Sequence, residues 1–233
     1  MKRSINSVTM NNTMKRNILA VMAILFAAVA YAQPQVGDWA KFGRYHEANK
    51  EVTSAPRVVF MGDSITDFWV NADPDFFTAN NFLGRGISGQ TTSHMLVRFR
   101  RDVIDHHPEY VVILAGTNDV AKNLGEIAPE NSLGNIISMC ELARANNIKP
   151  IVCSILPCDR FYWRPEVTGQ AEEIVALNAL IKEYAESADI PYVDYHSAMK
   201  NGNNGLPKEY AEDGCHPTKA GYEVMKKVVL EYL

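Results

Sequence analysis

Five short apolar runs recur along this chain, each followed by a polar or amphipathic stretch, and that alternation restricts the fold more than any other feature. RVVFMG (57–62), NFLGRGI (81–87), YVVILAG (110–116), KPIVCSIL (149–156) and IPYVDY (190–195) have the apolar, β-branched character of strands buried on both faces. Between them, residues 91–105 put Met95, Leu96, Phe99 and Val103 on one face of a predicted helix. SLGNIISMCELARANN (132–147) and AEEIVALNALIKEYAESA (171–188) are amphipathic at helical spacing. A last helix is expected from Pro217, at the favoured first position, to the chain end. A lead-in helix is expected between Gln33 and Pro56, from the spacing of Trp39, Phe42 and Tyr45. Strand followed by helix, five times over, predicts an α/β fold: a parallel sheet covered by helices on both faces.

The start of the chain reads differently. Lys15 and Arg16 precede an apolar run from Ile18 to Val29, and Ala30-Tyr31-Ala32 supplies a small-x-small cleavage pattern. Residues 1–32 are therefore expected to be a signal peptide, with 33–233 as a single domain and the protein exported to the periplasm or beyond. The apolar run is shorter than the ~20 residues of a membrane span, and no Cys follows the cleavage point, so no stable membrane anchor is expected. Loss of Lys2, Arg3, Lys15 and Arg16 takes the net charge from −4 to −8. An acidic chain without a Lys/Arg run is a poor partner for nucleic acid. Cys140, Cys153, Cys158 and Cys215 form no C-x-x-C pair; Cys158 and Cys215 both fall in loops and could bridge.

In open parallel sheets, functional residues collect where strands end at their C-termini. Here the first strand leads into Gly62-Asp63-Ser64, the second into Gly86-Ile87-Ser88-Gly89 and the third into Gly116-Thr117-Asn118-Asp119. The last reaches Asp213-Gly-Cys-His216 through a long loop. A Ser hydroxyl needs a base to become a nucleophile, imidazole suits that task near neutrality, and an Asp three residues away can fix its tautomer. Backbone N–H groups of Ser64 and Gly86 and the Asn118 amide are candidate donors to a tetrahedral oxyanion. Taken singly, each piece has a plainer reading: Ser64 or Asp63 as a helix cap, GTND as a turn, D-x-x-H as a surface ion pair. All four at strand ends, in order, point to acyl transfer. Asp102, Asp105, His106 and His107 end a predicted helix before Pro108 and read as a solvated terminus, so neither metal nor cofactor is expected.

The blocks FMGDSITD (60–67), GRGISGQTT (84–92), LAGTNDV (114–120) and DGCHPTKAGY (213–222) resemble those of the SGNH, or GDSL-type, hydrolase family. The resemblance implies a three-layer α/β/α sandwich with a flavodoxin-like, mostly parallel five-stranded sheet. It also implies Ser64 as nucleophile, Asp213 and His216 as its partners, and Ser64, Gly86 and Asn118 around the oxyanion. Ile65 stands where the family's nickname has Leu. No G-x-S-x-G elbow is present, which argues against a classical α/β-hydrolase.

Relatives of that kind cleave acetyl groups from carbohydrates, act on lysophospholipids or platelet-activating-factor-type lipids, or hydrolyse thioesters. Export disfavours acyl-CoA, and no apolar insertion suggests a long acyl tunnel. The loop CDRFYWRPEVTGQ (158–170) interleaves aromatics with Arg160 and Arg164, so Arg160, Trp163 and Arg164 are candidate contacts to a glycan. The alternative is that Phe161, Tyr162 and Trp163 merely pack that loop onto the sheet. Phe68 and Trp69 are expected in the core, with a role in narrowing the acyl pocket. The expected activity is removal of a small acyl group, acetate first, from an acetylated glycan. A lysophospholipase, other lipid acyl-esterase or thioesterase is the runner-up, and a non-catalytic carbohydrate-binding module comes after both.

Overall fold

In the computed structural model, which describes residues 37–233, the five apolar runs become one all-parallel sheet. The expected signal peptide lies outside the described residues. The strands are β1 (Val58–Gly62), β2 (Phe82–Gly86), β3 (Tyr110–Leu114), β4 (Lys149–Cys153) and β5 (Tyr192–Val193), in the order β2-β1-β3-β4-β5. That is the flavodoxin-like order, with its switch point between β1 and β3. Gly62 is in register with both Gly86 and Leu114, so three strands end level and their loops leave from one edge.

Alternate strand residues feed two separate cores, as a pleated sheet buried on both faces requires. Val59, Met61, Val111, Ile113 and Val152 pack against α4 (Thr92–Asp102), α6 (Pro129–Ala145) and α7 (Gln170–Ser187). Val58, Phe60, Val112, Leu114 and Val193 pack on the other side. There they meet α2 (Ser64–Ala72), α3 (Pro74–Ala79), α8 (Tyr195–Met199) and α9 (Lys219–Leu230). The result is a three-layer α/β/α sandwich. Two further short helices are α1 (His46–Lys50) and α5 (Thr117–Val120).

Three sequence expectations change. The lead-in helix is only the five residues of α1, with no buried side chain; residues 38–45 are mainly turns, and Trp39 stays exposed against the His94 ring. Pro217 precedes the last helix rather than opening it. Thr218 is the cap, its Oγ1 accepting from Gly221 N at 3.3 Å. Asp102 and His106 are buried rather than solvated. Asp102 pairs with the fully buried Arg98 at 2.9 Å, and His106 shares a 3.0 Å hydrogen bond with Asn49.

Candidate active site

The turn from β1 into α2 resolves which residue caps the helix. Asp63 does: its Oδ1 accepts from Ile65 N at 3.0 Å. Ser64 is thereby the first helical residue, and its Oγ lies 2.8 Å from His216 Nε2. Burial pushes the Asp63 carboxyl up to about 6, with the charge of Asp119 adding, while the Ile65 N–H and His216 pull the other way.

His216 comes from the loop before α9. Asp213 folds back within that loop, Oδ1 accepting from the N–H groups of Cys215 and His216 at 2.9 and 2.8 Å. Its Oδ2 lies 2.7 Å from His216 Nδ1. Partial burial raises the Asp213 pKa, but those two N–H groups and the His216 ring outweigh it and leave it below the usual value. An ionised carboxylate only accepts, so Nδ1 carries the hydrogen and Nε2 presents its lone pair to Ser64. A hydroxyl so placed can pass its proton to the imidazole when the oxygen attacks.

Two helices hold the serine and histidine at that distance. Tyr222 of α9 donates its hydroxyl to Ile65 O at 2.9 Å, and its ring stacks on Trp69 of α2 with centroids 5.5 Å apart. On the other side of α2, Gly86 lets the β2 backbone approach the helix start. A Cβ there would lie 2.2 Å from Asp67 N. The next loop is tied back as well, Ser88 donating from Oγ and N to Asp67 Oδ2 at 2.9 and 3.3 Å.

After β3, Gly116 turns the chain at a φ of 124°, and α5 brings Asn118 into the same corner. Asn118 Nδ2 donates to Gln90 O at 3.0 Å and to Asp63 Oδ2 at 3.2 Å. Buried Asp119, its pKa raised by that burial, anchors the turn by accepting from Thr92 N, Thr92 Oγ1 and Ser132 Oγ at 2.9, 2.6 and 3.0 Å. A cleft of about 210 Å3 opens here, with Ser64, His216 and Asn118 among its lining residues and Phe68, Tyr162 and Trp163 as aromatic walls. The rings of Phe68 and Trp163 lie 5.2 and 5.7 Å from that of His216. A larger concavity of about 440 Å3 lies at the opposite ends of β3 and β4, but Arg144 and Lys149 in it already bond to the Ala188 carbonyl and to Glu109.

Of the three glycan candidates, only Trp163 lines the cleft. Arg164 turns to Glu166 at 2.6 Å and to Lys122 O at 3.1 Å; Arg160 is exposed alongside Gly214. Phe161 packs in the core, whereas Tyr162 is 62% exposed. The Phe68-Trp69 expectation divides in the same way, with Trp69 buried and Phe68 44% exposed at the cleft. Asn123 and Ser88 also line it, and sequence reading missed both as site residues. The four cysteines are buried free thiols, with Cys158 Sγ bonding to Arg160 O at 3.0 Å rather than bridging to Cys215. Among the described residues no helix is long and apolar enough to cross a membrane.

Residues 60–224 match the sequence model of the GDSL-like lipase/acylhydrolase family. The chain is 34% identical over 183 residues to the lipoprotein YqeF of Bacillus subtilis, covering 67% of this chain and 75% of that protein. It is 24% identical over 208 residues to an acetylxylan esterase of Geobacillus stearothermophilus, covering 77% and 94%. The crystal structure of a GDSL-like lipase from Bacteroides thetaiotaomicron superposes with a TM-score of 0.80 at 45% identity, over 83% of this chain and 97% of that one.

Proposed function

We propose that this chain, which belongs to the GDSL-like lipase/acylhydrolase family, is an exported serine esterase that removes acetyl groups from a carbohydrate. Membership makes it an ester hydrolase; the acyl group, the alcohol and the residue roles are our reading. The observation that carries it is the hydrogen-bonded chain Ser64–His216–Asp213, at 2.8 and 2.7 Å, on a cleft walled by aromatic rings.

In the proposed reaction, Ser64 Oγ attacks the acyl carbon as its proton passes to His216 Nε2, while Asp213 stabilises the imidazolium. The oxyanion is held by the Ser64 N–H and by Asn118 Nδ2, which exchanges its long contact to Asp63 for the new one. Gly86, expected as a third donor, is instead packed against the first turn of α2 with its carbonyl on the Tyr45 hydroxyl, and Gly89 rather than Gly86 lines the cleft. Collapse expels the sugar oxygen, which takes the proton from His216 and leaves acetyl-Ser64. Water, deprotonated by the same imidazole, releases acetate and restores the serine.

The cleft volume of about 210 Å3 falls below the ~300–1,000 Å3 of drug-sized ligand pockets, which favours a short acyl group. Aromatic walls, two of them exposed, suit the flat face of a pyranose. The acetylxylan esterase among the relatives supports the same class. Export is supported by the apolar N-terminal segment and by the relative described as a lipoprotein. A lipid ester is the second reading, favoured by the exposed apolar Phe68, Leu124 and Tyr162.

The test is turnover of p-nitrophenyl acetate, butyrate and octanoate by residues 33–233, alongside Ser64→Ala. Acetate preference lost in the variant supports the proposal; octanoate preference moves it to lipids. Full activity in Ser64→Ala would refute the nucleophile assignment.

A further inference from the structure

Asn123 is not one of the four sequence blocks, yet its side chain sits where three strand-end loops meet. Its Nδ2 donates to Asn118 Oδ1 at 2.6 Å and to Gly89 O, after β2, at 3.4 Å. Its Oδ1 accepts from Trp163 Nε1, in the loop after β4, at 3.2 Å. Its own N–H donates to Asn118 O at 3.0 Å, so backbone and side chain grip the same partner.

A carboxamide has a donor end and an acceptor end, and only the donor end can serve an oxyanion. The Asn123 donor on Asn118 Oδ1 fixes which end faces Asp63, Gln90 and the cleft. Trp163 is meanwhile part of the aromatic wall beside His216. The hydrogen-bond chain Trp163–Asn123–Asn118 therefore joins the surface that would meet the alcohol portion of the substrate to the amide that would meet the oxyanion.

We propose that Asn123 is a positioning residue that orients the Asn118 amide and couples it to the aromatic wall. The proposal rests on the oxyanion role assigned to Asn118 above. Asn123 touches no reacting atom; it acts through its neighbour. Because it is only half-buried on a surface turn, its replacement tests geometry rather than the core.

The experiment measures kcat and KM on p-nitrophenyl acetate, with thermal melts, for Asn118→Ala, Asn123→Ala, Asn123→Asp and the Asn118→Ala/Asn123→Ala double variant. Asn118→Ala should lower kcat on the order of a hundredfold. Asn123→Ala should lower kcat about tenfold with KM within about twofold, the cost of a misplaced donor. Asn123→Asp is nearly isosteric but sets a carboxylate oxygen against Asn118 Oδ1, so it should fall at least as far. The double variant should be no slower than Asn118→Ala, because orienting an absent amide has no effect. Full additivity in the double variant, or wild-type kcat in Asn123→Ala, overturns the positioning role while leaving the oxyanion assignment standing. Wild-type kcat in Asn118→Ala overturns both.

Discussion

Gly86→Ala isolates the close approach of β2 to the start of α2. The added Cβ would lie 2.2 Å from Asp67 N and 2.7 Å from both Asp63 O and Thr66 C. All three are backbone atoms of the first turn of α2, so no side chain can swing aside. Restoring ordinary contact needs a displacement of about 1 Å, because non-bonded heavy atoms settle at roughly 3.5 Å. Overpacking of this kind costs about 1–3 kcal/mol. For a chain of this length that lowers Tm by roughly 2–12 °C. The element that moves begins with Ser64, whose Oγ lies 2.8 Å from His216 Nε2. A shift near 1 Å there should lower kcat on p-nitrophenyl acetate about a hundredfold. Gly134→Ala is the control, since a Cβ there meets nothing within 4 Å inside α6, and it should raise stability by roughly 0.5–1 kcal/mol. Circular-dichroism melts and steady-state kinetics read both variants. A Gly86→Ala protein melting within about 1 °C of wild type at full kcat would refute the packing argument.

Asp63 should make stability fall as pH rises through about 6. Its folded carboxyl holds the proton more tightly than the unfolded one, whose value is near 3.8, so its contribution is complete below that value and lost above about 6. The loss is at most about 3 kcal/mol, and urea titrations across that window should show a flatter profile for Asp63→Asn; equal slopes would discard the assignment. Asp102→Ala strands the buried Arg98 cation and should cost about 3–5 kcal/mol in denaturant titration. Glu109→Ala, which removes only an exposed pair with Lys149, should cost far less, and comparable losses would contradict the burial argument. Ellman's reagent should find no reactive thiol in the native chain and all four after denaturation; two after denaturation would mean that Cys158 and Cys215 are bridged.

Strands buried on both faces leave uninterrupted apolar runs, and so the sheet and the residues leaving its edge were readable along the sequence. The short helices were not. SITDFWVNA follows its strand with no linker, and the cap that starts it, Asp63, is one residue away from the serine that a capping rule would equally accept. Residues 38–45 have helical spacing but lack an apolar face to bury: Tyr45 spends its hydroxyl on Gly86 O, and Trp39 leans on His94. Arg164 looked like a glycan contact because its loop is aromatic, but a glutamate two residues on takes the guanidinium. Asn123 lies outside the four blocks, and apart from Asn118, five residues earlier, its partners belong to segments 34 residues before it and 40 residues after it.

Placing the cap on Asp63 rather than on Ser64 has a chemical consequence for the site. A serine that caps its own helix spends its hydroxyl oxygen on a backbone N–H. With Asp63 in that position, Ser64 Oγ is left to meet His216. The second oxygen of the same carboxylate accepts from Asn118 Nδ2, so one buried side chain ends β1, starts α2 and restrains the proposed oxyanion donor. The histidine is held by Asp213 within its own loop, and the Tyr222 contacts dock α9, which follows that loop, on α2. Serine and histidine thus come from segments 152 residues apart in sequence, brought together by the Asp63 cap on one side and by the docking of α9 on α2 on the other. Loosening the cap or the Tyr222 hydrogen bond should impair turnover before it unfolds the sheet, because the strand pairing and the core on the α4, α6 and α7 side do not involve them.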